Sequence, residues 1–525
     1  MRDNGFSPPS NPVLEPIESI QCKDAILDLT NPAVPREPEW PEAEFIVGNP
    51  PFLGGEKRSE LGDDYTDALY VMYGSRIPNA SDLCCYWFEK ARACITHTHT
   101  HRIRAGLLAT QGIRGRLNRT GLESIKCTGD IFFAVSDQEW VLNGAAVHVS
   151  MIGFDNGTET TRVLDGQVVE TIATNLTTGV DVTQAMSLRH SNEFYHEGTK
   201  KGAKFELTYG ELERLLLLPN PHGRPNSDVL RPYINGMELY GADKSRGIIY
   251  FGVEFDLEQA ALYEALFKLI EERVLPRYGQ SRLKWWQHER PRPGLIAAAA
   301  RLSRYIATVR HSKHRIFVWL ESSILPDSAL GIFAVEDDYF MGLIQSRLHS
   351  AWSLSQGTQV RERESGFRYT PTTCFETFPF PQPTDHQRAA IAAPAKELDA
   401  LRNNWLNPPE LVRTEVLEFP GTVGGPWDRY IDRATVKEIT PGGSAGAKTE
   451  IGTVKYPRVV AQNDECAAEL KRRTLTNLYN QRPTWLDHAH RKLDAAVFSA
   501  YGWEPSISDD ELLANLLALN LAAGR

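Results

Sequence analysis

The fold of the first part of the chain is decided by the stretch Phe45-Ile46-Val47-Gly48-Asn49-Pro50-Pro51-Phe52. Its apolar start predicts a buried strand of a parallel sheet. The two prolines end that strand and hold the next residues rigid, because proline fixes φ and lacks a backbone N–H. An amide and an aromatic ring then lie at the strand's carboxyl end, where ligands bind in open α/β sheets. A flat heterocycle with an exocyclic amine fits such a site; the alternative is a loop that only turns the strand.

The same stretch resembles the Asn-Pro-Pro-Phe motif of methyltransferases that modify the N6 amine of adenine in DNA. The segments that follow are similar to that family in their order. Apolar spacing predicts a helix from Ser81, a strand and loop over 106–115, a short helix over 122–125 and a closing hairpin over 131–154. The resemblance covers about residues 20–155. It implies a partial Rossmann-like class I methyltransferase sheet of the α/β class.

This resemblance also implies the roles of the motif residues. Asn49 and the Pro50 carbonyl accept hydrogen bonds from the adenine amine, Pro51 helps to keep the turn rigid, and Phe52 stacks on the base. S-adenosylmethionine is the implied methyl donor, and no metal is implied. Asp24 is the candidate for the acid near the cofactor's adenine.

Three features near the motif have alternative interpretations. Asp24 lies in a strand predicted over 20–27 and is either the cofactor-binding acid or a surface turn residue. Gly54 and Gly55 permit lid motion over an extruded base, or they belong to an ordinary exposed loop. The arginines after the next predicted strand suit either a phosphate clamp or a solvated loop: Arg114, Arg116 and Arg119.

The composition limits the class of protein. The formal net charge is -10, so any face that binds nucleic acid must be local. The chain has 7 cysteines and no C-x-x-C pair, which favours reduced thiols in a cytoplasm. No apolar run is long enough for a membrane span, and the start has no apolar core of a secretory signal.

The middle of the chain carries the features of DNA recognition. Residues 227–236 and the helix, polar loop and aromatic strand over 340–381 resemble target-recognition domains of the MmeI-like restriction-modification family. The most basic stretch runs from 282 to 315, and Trp285 and Trp286 within it are expected in the core. Basic side chains supply phosphate affinity and polar loops read base edges, unless the stretch is a solvated face. The candidate DNA contacts are Arg282, Lys284, Arg304, Arg315, Gln359, Arg361 and Arg363.

Three regions follow from these patterns. They are a partial methyltransferase domain over 1–155, an α+β target-recognition domain over 156–382 and a mostly helical C-terminal domain over 383–525. The resembled family has a glycine-rich motif for S-adenosylmethionine upstream of Asn-Pro-Pro-Phe, and residues 1–48 do not show it. The chain therefore resembles the C-terminal portion of an MmeI-like enzyme, which an upstream polypeptide would complete.

Three hypotheses for the function remain open from the sequence. The first is an adenine-N6 DNA methyltransferase component of a restriction-modification or phage-defence system, with double-stranded DNA as substrate. The second is a catalytically inactive, sequence-specific DNA-binding subunit. The third is a methyltransferase for RNA or protein, which the large recognition-like region disfavours.

Overall fold

The computed structural model describes residues 20–31, 34–97, 103–115, 117–142, 145–188, 194–242, 246–278, 284–356, 358–359, 366–440 and 448–524. The chain divides into two compact units, residues 1–183 and 184–525. No helix in the described ranges combines the length and the hydropathy needed to cross a lipid bilayer. Strands and helices are mixed in both units, and the last segments are helical. The prediction of a mixed α/β structure with a helical C-terminal region is therefore confirmed.

The first unit is built on one six-stranded sheet. Its strands are β1 (Phe45–Gly48), β2 (Arg104–Thr110), β3 (Asp130–Leu142), β4 (Ala145–Asp155), β5 (Arg162–Leu164) and β6 (Gln167–Val169). In space they follow the order β1-β2-β4-β3-β5-β6. Strand β1 runs parallel to β2, whereas β4 is antiparallel to both β2 and β3. The predicted strand after the motif and the closing hairpin are therefore confirmed.

Helices cover one face of this sheet and form the core with it. They are α1 (Asp63–Tyr73), α2 (Cys84–His97) and α3 (Thr120–Thr128). The predicted helices are confirmed, although α2 begins at Cys84. Alternate residues of β2 are buried, as the two-residue period of a strand requires. Leu107 of β2 thus shares one core with Leu69 of α1 and Phe88 of α2.

The opposite face of the sheet is open within the first unit. Phe45 is 64% exposed and Val47 is 82% exposed. A shallow apolar cleft runs from these two residues across β2 and β4 to Phe133 of β3. The prediction of a buried first strand is therefore wrong. Strand β1 is an edge strand, because β2 is its only neighbour among the described residues and no layer of this unit covers its outer face.

The prediction of a strand over 20–27 is also wrong, because these residues form an irregular turn. Asp24 Oδ1 accepts hydrogen bonds from the backbone N–H groups of Ile26 and Leu27, both at 2.9 Å. Aspartate competes with regular structure in this way, since its carboxylate satisfies nearby backbone donors. Ile26 and Leu27 are buried in the core of the unit and fix the turn against it.

The second unit contains several small sheets and most of the helices. Its strands are β7 (Tyr195–Glu197), β8 (Glu206–Leu207), β9 (Leu230–Ile234), β10 (Gly247–Ile249), β11 (Arg304–Val309), β12 (His311–Ser312), β13 (Val318–Glu321), β14 (Leu325–Pro326), β15 (Leu330–Phe333), β16 (Thr358–Gln359), β17 (Phe367–Arg368), β18 (Val412–Thr422), β19 (Ile431–Ile439) and β20 (Thr449–Ala461). They form sheets of the orders β14-β9-β10-β8, β13-β11-β15-β7, β12-β17-β16 and β18-β20-β19.

The helices of the second unit are mostly short before residue 380 and longer after it. They are α4 (Tyr209–Leu216), α5 (Leu257–Ala261), α6 (Glu264–Arg273), α7 (Leu275–Tyr278), α8 (Pro293–Ala299), α9 (Asp338–Gln345), α10 (Arg347–Gln356), α11 (Pro371–Cys374), α12 (Asp385–Leu406), α13 (Asp464–Arg472), α14 (Leu475–Gln481), α15 (Thr484–Tyr501) and α16 (Asp509–Ala523). The last part of the region predicted to be mostly helical, from α13 to α16, is helical in the structure.

Apolar side chains recur at helical spacing over 257–277 and over 340–352, which predicts one continuous helix in each range. Both predicted helices are interrupted in the structure. The pattern over 257–277 forms α5, α6 and α7, and the pattern over 340–352 is divided between α9 and α10 at Ser346. The Ser346 backbone is extended. Its hydroxyl donates to the Leu343 carbonyl at 2.7 Å and accepts from the His349 N–H at 3.5 Å. The serine therefore ends one helix and caps the next, which the apolar spacing alone does not indicate.

The predicted helical region after residue 382 also contains the antiparallel sheet of β18, β19 and β20. Phe419 of β18 and the nearby Trp427 are buried in the same core as Leu230 of β9. The Trp427 indole N–H donates to the Leu230 carbonyl at 2.9 Å. This sheet is therefore packed into the recognition-like region that precedes it in the chain.

Helices α10 and α15 are joined through a partly buried carboxyl group. The Arg347 N–H, at the start of α10, donates to Asp494 Oδ1 of α15 at 2.7 Å. Burial raises the pKa of Asp494 to about 6, and the hydrogen bond and charge of Arg347 oppose that rise only in part. The ionised form of Asp494 is thus destabilised in the folded protein.

We expect the Asp494→Asn variant to be more stable than the unsubstituted chain at pH 7 and equally stable at pH 3. A carboxyl group whose folded pKa is raised stabilises the fold below its unfolded pKa, and this contribution is lost as the pH rises through 6. The expected difference in unfolding free energy at pH 7 is about 2 kcal/mol, measured by urea titration at both pH values. Asp510→Asn, at an exposed position of α16, is the control. A difference that does not change with pH would contradict the assignment.

Candidate active site

The Asn49-Pro50-Pro51-Phe52 turn lies at the carboxyl end of β1. Gly48 is opposite Leu107 of the parallel strand β2, so the turn and the end of β2 at Thr110 share one edge of the sheet. Asn49 is exposed, Pro50 is buried and Phe52 is half-buried. The turn is therefore anchored by Pro50, while the Asn49 amide is accessible to a ligand.

The turn continues into a segment that packs closely on the loop before α2. The Leu83 N–H donates to the Leu53 carbonyl at 2.8 Å. A Cβ atom at Gly55 would lie 2.2 Å from the Ala80 carbonyl oxygen. Glycine is needed at Gly55 for this close approach, which favours a packed turn over the lid interpretation.

A charged cluster lies at the same edge of the sheet. His148 precedes Val149, the β4 residue opposite Thr110, and its Nδ1 is 2.7 Å from Asp137 Oδ1 of β3. Burial lowers the pKa of Arg114, which follows β2, while the charges of Asp137 and Asp165 oppose that shift. The sequence pattern did not single out Asp137 or His148, because only the antiparallel pairing of β3 with β4 brings them together.

The other arginines proposed for a phosphate clamp are placed differently. Arg119 is buried and its Nε lies 3.6 Å from Glu123 Oε1, which is a structural position. Arg116 lies outside the described residues. Among the described members of this group, only Arg114 therefore lies near the edge of the sheet that carries the motif.

Asp24 makes contacts that belong to a turn. Besides the two backbone groups, it accepts from the Tyr65 hydroxyl of α1 at 2.8 Å. Burial and this hydrogen bond raise the pKa of Tyr65 well above its usual range. These contacts favour the turn interpretation of Asp24, and its role in cofactor binding stays a prediction.

The described residues do not by themselves form a pocket for S-adenosylmethionine. None of them forms a strand and glycine-rich turn before β1, where the backbone would approach the cofactor. The carboxylate oxygens of Asp24 are already engaged by Ile26, Leu27 and Tyr65. The described residues thus supply the Asn49–Phe52 turn, but they do not form a pocket that would hold a methyl donor.

The candidate DNA contacts in the second unit fall into distinct environments. Lys284 is exposed. Arg304 donates to both carboxylate oxygens of Asp338, at 3.0 and 2.9 Å, and stacks on the Trp319 ring. Gln359 lies in β16, opposite Phe367 of β17. Arg282, Arg361 and Arg363 lie outside the described residues.

Arg315 is a structural residue, contrary to the prediction that it contacts DNA. It is 8% exposed. Its guanidinium donates to the Val309 carbonyl at 2.6 Å and the Phe367 carbonyl at 2.9 Å, and it stacks on the Tyr369 ring. The arginine therefore joins β11 to β17, and its charge is enclosed by the protein.

Trp286 of the basic stretch and His349 of the recognition-like segment 340–381 are also structural. Trp286 is buried, as predicted, and its indole N–H donates to the Phe255 carbonyl at 3.1 Å. His349 is buried between the Ile344 carbonyl and the Tyr369 hydroxyl, at 2.8 and 3.0 Å. Burial lowers the His349 pKa to about 3, so this histidine is neutral in the folded chain.

Comparison with known proteins supports the class of the first unit. Residues 11–165 match the family model described as the DNA-methyltransferase domain of MmeI. No curated protein matches the chain. The match covers the edge strand, the motif and the closing hairpin, which are the elements on which the resemblance rested.

Among solved structures, the type IIL restriction-modification enzyme MmeI in complex with DNA is similar in fold, with a TM-score of 0.63 and 19% identity. The similarity covers 91% of this chain and 57% of the MmeI chain. The DrdV–DNA complex gives a TM-score of 0.33 at 12% identity, covering 91% of this chain and 56% of that one. The ATP-dependent type ISP enzyme LlaBIII bound to DNA gives 0.34 at 12%, covering 90% and 38%.

The family match shows that residues 11–165, which contain the motif and most of its sheet, are similar to the DNA-methyltransferase domain of MmeI. The similarity to MmeI in fold extends over most of the chain. The resemblance predicted from the sequence is thereby confirmed. The chain spans 57% of the length of the MmeI chain that it matches.

We expect Arg315→Gln to lower the unfolding free energy of the second unit by about 2 kcal/mol, because it leaves buried carbonyl acceptors without their charged donor. Lys313→Gln, two residues away at an exposed position, should change it by less than about 0.5 kcal/mol. Chemical denaturation of both variants measures the difference. Equal stability of the two variants would contradict the structural role of Arg315.

Proposed function

We propose that the chain is the adenine-binding and DNA-recognising part of a restriction-modification or phage-defence methyltransferase that modifies adenine N6 in duplex DNA. One observation carries this proposal. The Asn49-Pro50-Pro51-Phe52 turn presents an exposed amide and a half-buried ring at the end of a parallel strand, within the segment that matches the MmeI DNA-methyltransferase domain. The MmeI-like fold of the chain supports a DNA-recognition role for the second unit.

The proposed chemistry of the motif follows from its groups. The target adenine leaves the duplex, which costs a few kcal/mol of unstacking. Asn49 Oδ1 and the Pro50 carbonyl oxygen accept the two hydrogens of the N6 amine and orient its nitrogen toward the methyl donor. Accepting these hydrogens also raises electron density on N6, which makes it a better nucleophile. Phe52 stacks on the base and holds its plane.

S-adenosylmethionine is the proposed methyl donor, and its sulfonium supplies an electrophilic methyl group. We propose that an upstream polypeptide provides its pocket and covers the open face of the sheet beside β1. The exposure of Phe45 and Val47 supports this, because an exposed apolar edge strand is normally covered or paired by other protein. Asp24 is the proposed acid of this chain nearest to the cofactor.

Double-stranded DNA is the proposed ligand of the second unit. Lys284 is the proposed phosphate contact among the described basic residues. Arg304 stays a predicted contact, although its guanidinium is engaged by Asp338. Arg282, Gln359, Arg361 and Arg363 are further proposed contacts from the sequence pattern. The corresponding functional regions are the methyltransferase segment over 1–155, target recognition over 156–382 and the C-terminal region over 383–525.

A catalytically inactive, sequence-specific DNA-binding subunit is the second candidate. The observation that favours it is that the described residues form only the side of the site that faces the target base. Methyl transfer by this chain alone, or after addition of an upstream polypeptide, would exclude this candidate. Sequence-specific DNA binding with no transfer in either case would support it.

We expect Asn49→Ala to lower kcat for methyl transfer on the order of 100-fold, as loss of one preorganised polar group in an active site does. The assay follows labelled methyl groups from S-adenosylmethionine into duplex DNA, with the upstream polypeptide present. Asn156→Ala is the matched control, because Asn156 is an exposed asparagine just after β4, at the opposite edge of the same sheet. Fluorescence anisotropy should give the same DNA affinity for both variants. Unchanged transfer by Asn49→Ala would refute the proposed mechanism.

A further inference from the structure

The segment that follows Phe52 is tied to residues 79–86 by side chains as well as by backbone. It forms a 3-10 helix over Gly55–Leu61 that precedes α1. Two charged residues make these ties, one from each partner segment. They are Arg58 of the 3-10 helix and Asp82 of the loop before α2, and neither carries chemistry in the proposed reaction.

Arg58 is 1% exposed and lies between the rings of Tyr70 and Tyr86. Its guanidinium donates to the Asn79 carbonyl at 2.6 Å, to the Tyr86 hydroxyl at 3.0 Å and to the Ser81 carbonyl. All of these acceptors are uncharged, and the buried Nε has no acceptor among the described residues. A buried cation held in this way is costly. We therefore attribute its position to the segment over residues 79–86 that it holds, and not to a net gain in stability.

Asp82 links the turns after two parallel strands. Its Oδ1 accepts from the Gly55 N–H and its Oδ2 accepts from the Thr110 hydroxyl, both at 3.3 Å. The Asp82 N–H donates to Asn118 Oδ1 at 2.7 Å, and Asn118 Nδ2 donates to the Gly112 carbonyl at 3.1 Å. The turn after β1 and the turn after β2 are thus held by one carboxylate and the asparagine beside it.

We propose that Arg58 and Asp82 are positioning residues that fix the Asn49–Phe52 turn relative to the end of β2. Arg58 holds the far end of the segment and Asp82 holds Gly55, three residues after Phe52. The catalytic part of this inference rests on the proposed function, because the turn must keep its place while the base is bound. A displacement of about 1 Å in such a site lowers the rate on the order of 100-fold.

Hydrogen–deuterium exchange of the full chain tests the two residues without an activity assay. Arg58→Lys keeps the charge but loses the planar fork that reaches several carbonyls. We expect exchange in peptides covering 53–61 to rise about tenfold, the effect of losing one to two hydrogen bonds. Lys57→Gln, at the exposed neighbouring position, should leave these peptides unchanged.

Asp82→Asn is the second variant, because Asp82 is partly exposed and its replacement is isosteric. We expect faster exchange both near Gly55 and in the 110–115 turn, with strand β2 itself unchanged. Asp67→Asn, at an exposed position of α1, is its control. Circular dichroism establishes that each variant is folded, and if Arg58→Lys does not fold, Asp82→Asn decides.

Two results would overturn the proposal. One is unchanged exchange in both folded variants, and the other is a rise spread evenly over the first unit, which indicates general stability. Where methyl transfer is measurable, both variants should lower kcat by about tenfold with the KM for DNA unchanged. If the unsubstituted chain transfers no methyl group with any partner, the proposed function fails, while the exchange data still decide whether the turn is held.

Discussion

The parallel pairing of β1 with β2 is the constraint on which the candidate site depends. It brings the carboxyl ends of both strands to one edge, so that the Asn49-Pro50-Pro51-Phe52 turn and the turn after Thr110 become neighbours. The antiparallel strand β4 then adds the His148–Asp137 pair beside Thr110. A change in register of one residue would reverse the faces of Leu107 and its neighbours, so the buried face of β2 holds this arrangement in place.

The first unit has a core on only one face of its sheet. Helices α1, α2 and α3 bury that face, and Phe45 and Val47 remain exposed on the other. The sheet is mixed, but the exposed face beside β1 is apolar, and an apolar edge of this kind is normally covered. The packed face anchors the base-facing motif. In the proposed function, a further layer of protein covers the open face and supplies the pocket for the methyl donor.

Charge in the second unit serves the fold more than the basic stretch of the sequence suggests. Arg304 is matched by Asp338, and Arg315 is enclosed by backbone carbonyls and the Tyr369 ring. Among the basic residues predicted to contact phosphate and described in the structure, Lys284 is the exposed one. A basic stretch of sequence therefore indicates an anionic ligand. The contacts that each side chain makes within the fold decide which of its residues are free to bind that ligand.

The sequence by itself determined the motif, the order of β1, α2, β2, α3 and the β3–β4 hairpin, and the likeness to MmeI, because these follow from local spacing and from residue types next to one another. It did not determine that β1 is an edge strand, that residues 20–27 form a turn around Asp24, or that Ser346 divides a helix. The edge position of β1 depends on which layers the rest of the unit supplies. The Asp24 turn and the Ser346 break rest on local hydrogen bonds between side chain and backbone, which apolar spacing does not indicate. Nor did the sequence determine the contacts of Arg58, Asp82, Asp137 and His148, whose partners are 11 or more residues away in the chain. Only tertiary packing brings such pairs into contact, so no local pattern marks them.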